Sequence, residues 1–447
     1  MSAYSEGKIY QQALVRVRWP SLTLIILLAA SLIYLGNVYR QQNAILDDGY
    51  ITFHFAEHLA HGQGLVWNVG GERVEGFTSL LHVALLAVAI KAGIDPQPAS
   101  IAIAIGSVLG TVLLLVQILR QQFGLLYPPA ALVIGLYLSD QTTAFHSISG
   151  LETHLFVLFL CLSYACALAW LTRPTWFRAI GLALAIFGSI LCRPEGLLYG
   201  GALYIVLFAY TGWLISRKRQ RIGSSTFSLL LSVGLLMILG VVYATWKYSY
   251  FGYLLPNSFY VKSNQLGLHG VREVVDYLKD VVTWVSPLLV GFVFTISPAI
   301  FTTSLRTPER IARIMLTLLP LSTALLYYST IIHEVGGAHR FSYPTYFYII
   351  MAVAAFFSVA MKMLPAAQNV MFKNLAVALL CCVVLITSNE AWKMLGSSWP
   401  PNPPDGFQQY HWRIDQALQA TGLGGEATVL FDAAGVIPFI SHFNERD

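Results

Sequence analysis

Apolar residues fall into twelve runs along the chain, at approximately 20–38, 77–92, 99–119, 125–139, 154–171, 177–192, 196–215, 226–247, 284–304, 312–332, 345–363 and 373–388. A transmembrane helix takes roughly 20 apolar residues, with about 17–25 as the working range. The runs at 77–92 and 125–139 are short by that measure. Polar residues concentrate between runs at 39–76, 248–283 and 389–447. Within the second of these, LHGVREVVDYLKDVVT (268–283) has apolar residues at helical spacing and mixed charges, which predicts a surface helix. Past a WPPNPP linker (399–404), HWRIDQALQ reads as a helix and ATVLFDAAGVIPFIS as a strand and turn. This tail resembles the start of a small α/β domain, cut short at Asp447.

Basic residues mark the cytoplasmic side of a membrane protein. Lys8, Arg16 and Arg18 place the N-terminus inside, and Arg217, Lys218, Arg219 and Arg221 form the strongest inner marker. Arg306, Arg310 and Arg313 form another. The loop 39–76, the turn 193–195, the segments 248–283 and 333–344, and the C-terminal tail then face outward. That arrangement needs an odd number of crossings. Eleven are expected, with one segment between 77 and 139 re-entrant, broken or wrongly divided.

Composition agrees with this pattern. Of 447 residues, 56% are hydrophobic and 11% charged, less than half of the ~25% charged residues of soluble domains. The 13% aromatic content and the long apolar runs exclude disorder. The five cysteines lie in or beside apolar runs, so no disulfide framework is expected. A net charge of +5 reads as an orientation signal and implies no nucleic-acid partner. The inner loops carry mostly basic residues, with Glu6 and Glu309 as their acids.

The first outer loop holds the densest chemistry, in LDDGYITFHFAEHLAHGQGLVWNVGGERVEGFTS (46–79). Asp47 and Asp48 follow directly on the first span, and Glu72 and Glu75 precede the next. A partly desolvated carboxylate at a membrane boundary suits general-base work. A solvated N-cap of the following helix is the competing reading. His54, Glu57 and His58 spell H-x-x-E-H, an inverted zinc-peptidase pattern with both histidines on one helix face. No downstream third ligand stands out. Further charges recur at outer span ends: Glu152 in SGLETH, Arg193 and Glu195 in LCRPEGLL, Lys262 in LLPNSFYVKSN, and Glu334 and Arg340 in HEVGGAHRFSYP. Charges at membrane depth default to functional roles. Arginine forks and lysine point charges suit phosphate oxygens, although ion pairing between helices or snorkelling would also account for each one singly.

The loop 46–79 resembles the first outer loop of GT-C glycosyltransferases, and most closely the bacterial group that includes mycobacterial arabinofuranosyltransferases. SGLET (149–153), RPEG (193–196), FGYLLPNSFYVK (251–262), RFSYP (340–344) and FDAAGVIP (431–438) continue the resemblance in order. His54 stands where that group commonly has arginine, and GGAHR lacks an acid often found there. The resemblance implies an all-α polytopic GT-C membrane domain over 1–388 and an extracytoplasmic segment over 389–447. It implies an inverting transfer of sugar from a polyprenyl-phosphate donor to a cell-envelope glycan or glycolipid, at the outer face of the bacterial cytoplasmic membrane. Asp47 or Asp48 becomes the catalytic base, with Asp47 favoured. Arg193, Lys262 and Arg340 become donor-phosphate ligands, and Tyr50, His54, Glu75, Glu152, Glu195, Asn257 and Tyr260 support the substrate. No cofactor is obligatory, and a divalent metal stays open. Competing functions are a polyprenyl-lipid flippase or transporter, a non-catalytic assembly subunit, and, more remotely, the zinc peptidase.

Overall fold

The structure is a computed structural model that describes residues 19–41, 45–122, 124, 128–216, 223–254, 256, 271–272, 274–279, 307–330, 339–363, 428–429 and 444–445. Helices dominate it: α1 (Trp19–Arg40), α2 (Asp47–Ala60), α3 (Leu80–Lys91), α4 (Pro96–Gln122), α5 (Pro128–Ser139), α6 (Gln141–Ile148), α7 (Thr153–Thr172), α8 (Trp176–Cys192), α9 (Gly196–Ser216), α10 (Ser224–Phe251), α11 (Pro308–Tyr328) and α12 (Thr345–Met363). Six of them, α1, α4, α7, α9, α10 and α11, are long and apolar enough to cross a membrane. The fold is therefore all-α and polytopic, as the pattern of apolar runs predicts.

The short runs at 77–92 and 125–139 become helices of 12 residues each, α3 and α5. At 1.5 Å per residue each extends only about 18 Å, well short of a ~30 Å hydrocarbon layer. The second run breaks at Asp140, whose carboxylate accepts from the Thr143 N–H at 3.0 Å and caps α6. The runs at 284–304 and 373–388 lie outside the described residues, and with them the count of eleven crossings. Residues 271–272 and 274–279 are helical, inside the expected surface helix. Of the tail, two short strands are described, β1 (Thr428–Val429) and β2 (Asn444–Glu445), paired in parallel. The linker and the helix expected at HWRIDQALQ lie outside the described residues.

Among the described residues, two large apolar cores organise the helices. The larger joins α1, α4, α5, α7, α8, α9, α11 and α12, with Trp170, Tyr164, Phe156 and Phe347 fully enclosed. The smaller gathers Phe53, Phe55, Phe77, Val83, Leu86, Ala99 and Phe251. It makes α2, the loop after it, α3 and the end of α10 one platform. Phe55 meets Phe77 edge-on at 4.9 Å, and Phe77 meets Phe251 at 6.2 Å. At roughly 25 cal/mol per Å² of buried apolar area, burial of such rings is what holds α2 against the bundle.

Candidate active site

The chain leaves α1 and enters α2 through a close backbone contact with the SGLET loop. The Leu46 N–H donates to the Ser149 carbonyl at 3.1 Å. Gly150 adopts φ +80°, and a Cβ there would lie 3.2 Å from the Gly49 Cα. Glycine at both positions lets the two backbones touch. This contact brings the LDDG and SGLET segments together although about 100 residues separate them.

Asp47 and Asp48 occupy the first turn of α2, and Leu46 is the N-cap, without a side-chain cap. The N-cap reading of the two aspartates is thereby corrected. They lie at the positive end of the helix, where carboxylates are favoured. Asp47 is half-buried. The Asp48 carboxylate takes an ion pair from Arg340 Nη1, with the Asp48 side chain 40% exposed and that of Arg340 only 8%. Arg340 follows His339, which holds a left-handed φ of 54° just ahead of α12.

Arg193 stands beside this pair. From the turn between α8 and α9, its Nη1 donates to the Arg340 carbonyl at 3.5 Å. Its Nη2 meets Glu195 Oε1 at 3.3 Å, and Glu152 Oε1 lies 3.9 Å from Nη1. Burial opposes the Arg193 charge, but the Glu195 and Glu152 carboxylates outweigh it and hold its pKa above the ordinary value. The Phe341 ring lies under both guanidiniums, at 5.0 Å from Arg193 and 5.6 Å from Arg340. Phe156, Tyr199 and Tyr348 extend an aromatic wall from Arg193.

The structure thus brings together Asp48, Glu152, Arg193, Glu195 and Arg340, which are dispersed in the sequence. Three carboxylates face two guanidiniums. Among the described residues, Arg340 Nε and Glu152 Oε1 are buried without a hydrogen-bond partner. What sets this cluster apart is its excess of one carboxylate and the exposure of Asp48.

Other expected residues do different work. His54 Nε2 contacts the Trp67 carbonyl at 2.7 Å, and His58 Nδ1 the Val66 carbonyl at 2.9 Å. A carbonyl only accepts, so those nitrogens carry protons. The histidines of H-x-x-E-H staple α2 to the loop after it, and among the described residues no three His, Cys, Asp or Glu side chains gather to hold a metal ion. Tyr50 packs edge-on against Phe53 at 5.5 Å in the smaller core. Glu75 lies apart from the Arg193 cluster in a pair with Lys247, at 2.9 Å. Burial pushes the Glu75 carboxyl above its ordinary 4.5, against the pull of Lys247. Lys262, Asn257, Tyr260 and Glu334 lie outside the described residues. The sequence reading overlooked Lys247 and Phe341. Lys247 was detectable as the lone charge in the sequence of α10, near the end of an apolar run.

No protein-family model matches the chain, and no curated protein matches it. Among solved structures it is similar to ArnT from Cupriavidus metallidurans in the apo state, at 13% identity over 94% of this chain and 84% of that one, with a TM-score of 0.61. It is also similar to the same protein bound to undecaprenyl phosphate, at 14% identity over 94% of this chain and 85% of that one, with a TM-score of 0.56. The chain is an all-α polytopic membrane protein whose fold is similar to that of ArnT.

Proposed function

We propose that the chain is an inverting glycosyltransferase that moves a sugar from a polyprenyl-phosphate donor to a hydroxyl of a cell-envelope acceptor. The reaction takes place at the outer face of the bacterial cytoplasmic membrane. The observation that carries this reading is the contact of Arg340 with the carboxylate of Asp48 in the first turn of α2, with Arg193 against the Arg340 carbonyl. Undecaprenyl phosphate on the shared fold of ArnT supports a lipid-phosphate donor.

The charges suggest a sequence of events. A donor phosphodiester needs a cation, and in the resting site both arginines are already paired. Asp48 is the most exposed of the three carboxylates and the one that can yield its place. The phosphate takes over Arg340, with Arg193 beside it. Asp47 accepts the proton of the acceptor hydroxyl as its oxygen bonds to the anomeric carbon. The bond from that carbon to the phosphate oxygen breaks, and the electron pair leaves with the polyprenyl phosphate. That product gains a negative charge, which the guanidiniums stabilise. In this reading Lys262, Asn257 and Tyr260 add donor contacts from the FGYLLPNSFYVK segment, and the isoprenoid tail stays in lipid.

The test is release of undecaprenyl phosphate from a panel of labelled undecaprenyl-phosphate sugars by the purified full chain. Asp47→Asn is expected to abolish release and leave undecaprenyl phosphate binding intact. Normal turnover in that variant removes Asp47 from the role of base. Translocation of the lipid without release makes the protein a flippase.

A further inference from the structure

Lys247 is the one charged residue in the 28-residue α10, and it is buried near the helix end. A lysine there would ordinarily snorkel toward water. Instead its ammonium meets Glu75 at 2.9 Å, with both side chains about 5–6% exposed, and lies 5.7 Å from the Tyr243 ring centroid. Glu75 is therefore closed to a substrate and committed to a helix on the far side of the loop. The next turn of α10 makes parallel contacts. The Tyr250 hydroxyl accepts from the Leu65 N–H at 2.9 Å, and Arg73 lies over its ring at 4.4 Å. Between those contacts, Val66 and Trp67 take the bonds from His58 and His54 of α2. A continuous series thus runs from α10 through loop 65–77 to the helix that begins with the two aspartates.

We propose that Lys247 is a positioning residue for the transfer: through Glu75 it fixes loop 65–77, and through that loop the first turn of α2. This inference rests on the glycosyltransferase reading. It moves Glu75 from the substrate to the support of the aspartates. Arg193 and Arg340 are carried by other elements, and among the described residues Arg340 meets α2 only through its competitor Asp48, so loss of the strut should not weaken phosphate binding.

The experiment uses the full chain in lipid nanodiscs and compares wild type, Lys247→Met, Glu75→Gln and the exchanged pair Glu75→Lys with Lys247→Glu. Three quantities are measured: turnover, undecaprenyl phosphate affinity, and hydrogen exchange over 61–79. Each single variant is expected to lose about 100-fold in kcat, the scale of a small misplacement of reacting groups. Undecaprenyl phosphate affinity should fall by no more than about twofold, and a gain of up to about fivefold fits the release of Arg340 from Asp48. Exchange should quicken over 61–79 alone, and the exchanged pair should recover both exchange protection and most of kcat. Unchanged kcat in the single variants overturns the proposal, as does a loss of phosphate affinity equal to the loss of kcat, loosening throughout the bundle, or no recovery in the exchanged pair. If the wild-type chain releases no lipid phosphate, the glycosyltransferase reading fails, and exchange over 61–79 still decides whether the strut exists.

Discussion

Two buried charge clusters flank α2, and they are built on opposite terms. Lys247 and Glu75 form a closed pair, one cation to one anion, with neither side chain more than 6% exposed. Among the described residues, the Arg193–Arg340 cluster sets three carboxylates against two guanidiniums and ends in an Asp48 that is 40% exposed. Desolvation makes a buried charge tolerable only when its partner is permanent. The closed pair meets that condition and behaves as structure. The open cluster does not: it carries a carboxylate in excess and ends in one that water reaches, and the proposed exchange of Asp48 for a phosphate depends on that. Both clusters draw on the same amino-acid types; neutrality and enclosure distinguish strut from site.

The largest expected effect contrasts the two arginines. Arg193→Met strands Glu152 and Glu195 without their cation, and breaking a buried pair in this way costs about 3–5 kcal/mol. The result should be a marked fall in thermal stability and in yield. Arg340→Met strands only the half-exposed Asp48, so its stability cost should stay near the ~0–1 kcal/mol of exposed pairs. Equal destabilisation by the two variants would erase the distinction between enclosed and open halves of the cluster.

A smaller effect is expected where the backbones touch. Gly150→Ala forces a left-handed conformation on an L-residue, at about 1–2 kcal/mol, and pushes a Cβ against Gly49. The first turn of α2 should move off Arg340, lowering turnover more than stability. Steady-state kinetics beside thermal melts check this. A variant with normal kcat would show that the Gly49–Gly150 contact does not set the aspartates.

The helices were largely legible from hydropathy, because each buries apolar residues on its own account. The run read at 20–38 is Trp19–Arg40, and that at 154–171 is Thr153–Thr172. The end of α5 was legible too, because the run read at 125–139 stops ahead of the polar Asp140–Thr143, and the structure adds the capping bond from the Thr143 N–H to Asp140. For the site, charge at span ends picked out Arg193, Glu195, Glu152 and Arg340, whereas the pairing was invisible. Asp48 and Arg340 lie 292 positions apart, and no local pattern records which carboxylate an arginine will meet. The same limit hid the pair of Glu75 with Lys247, which sits in α10. His54 and His58 show the same limit. Their i,i+4 spacing is shared by metal ligands and by a staple, and only the positions of Val66 and Trp67 separate the two.

The proposed mechanism has Asp48 hold the place of the donor phosphate on Arg340. Titration of the nanodisc-held full chain with undecaprenyl phosphate tests it most directly, comparing wild type with Arg340→Met and Asp48→Asn. Arg340→Met should weaken binding by roughly 10–100-fold, the worth of a charge-assisted hydrogen bond of about 1.5–3 kcal/mol. Asp48→Asn, relieved of a competing anion, should bind roughly two- to fivefold more tightly than wild type, a gain under about 1 kcal/mol. Weaker binding in Asp48→Asn, or affinity indifferent to Arg340, would contradict it.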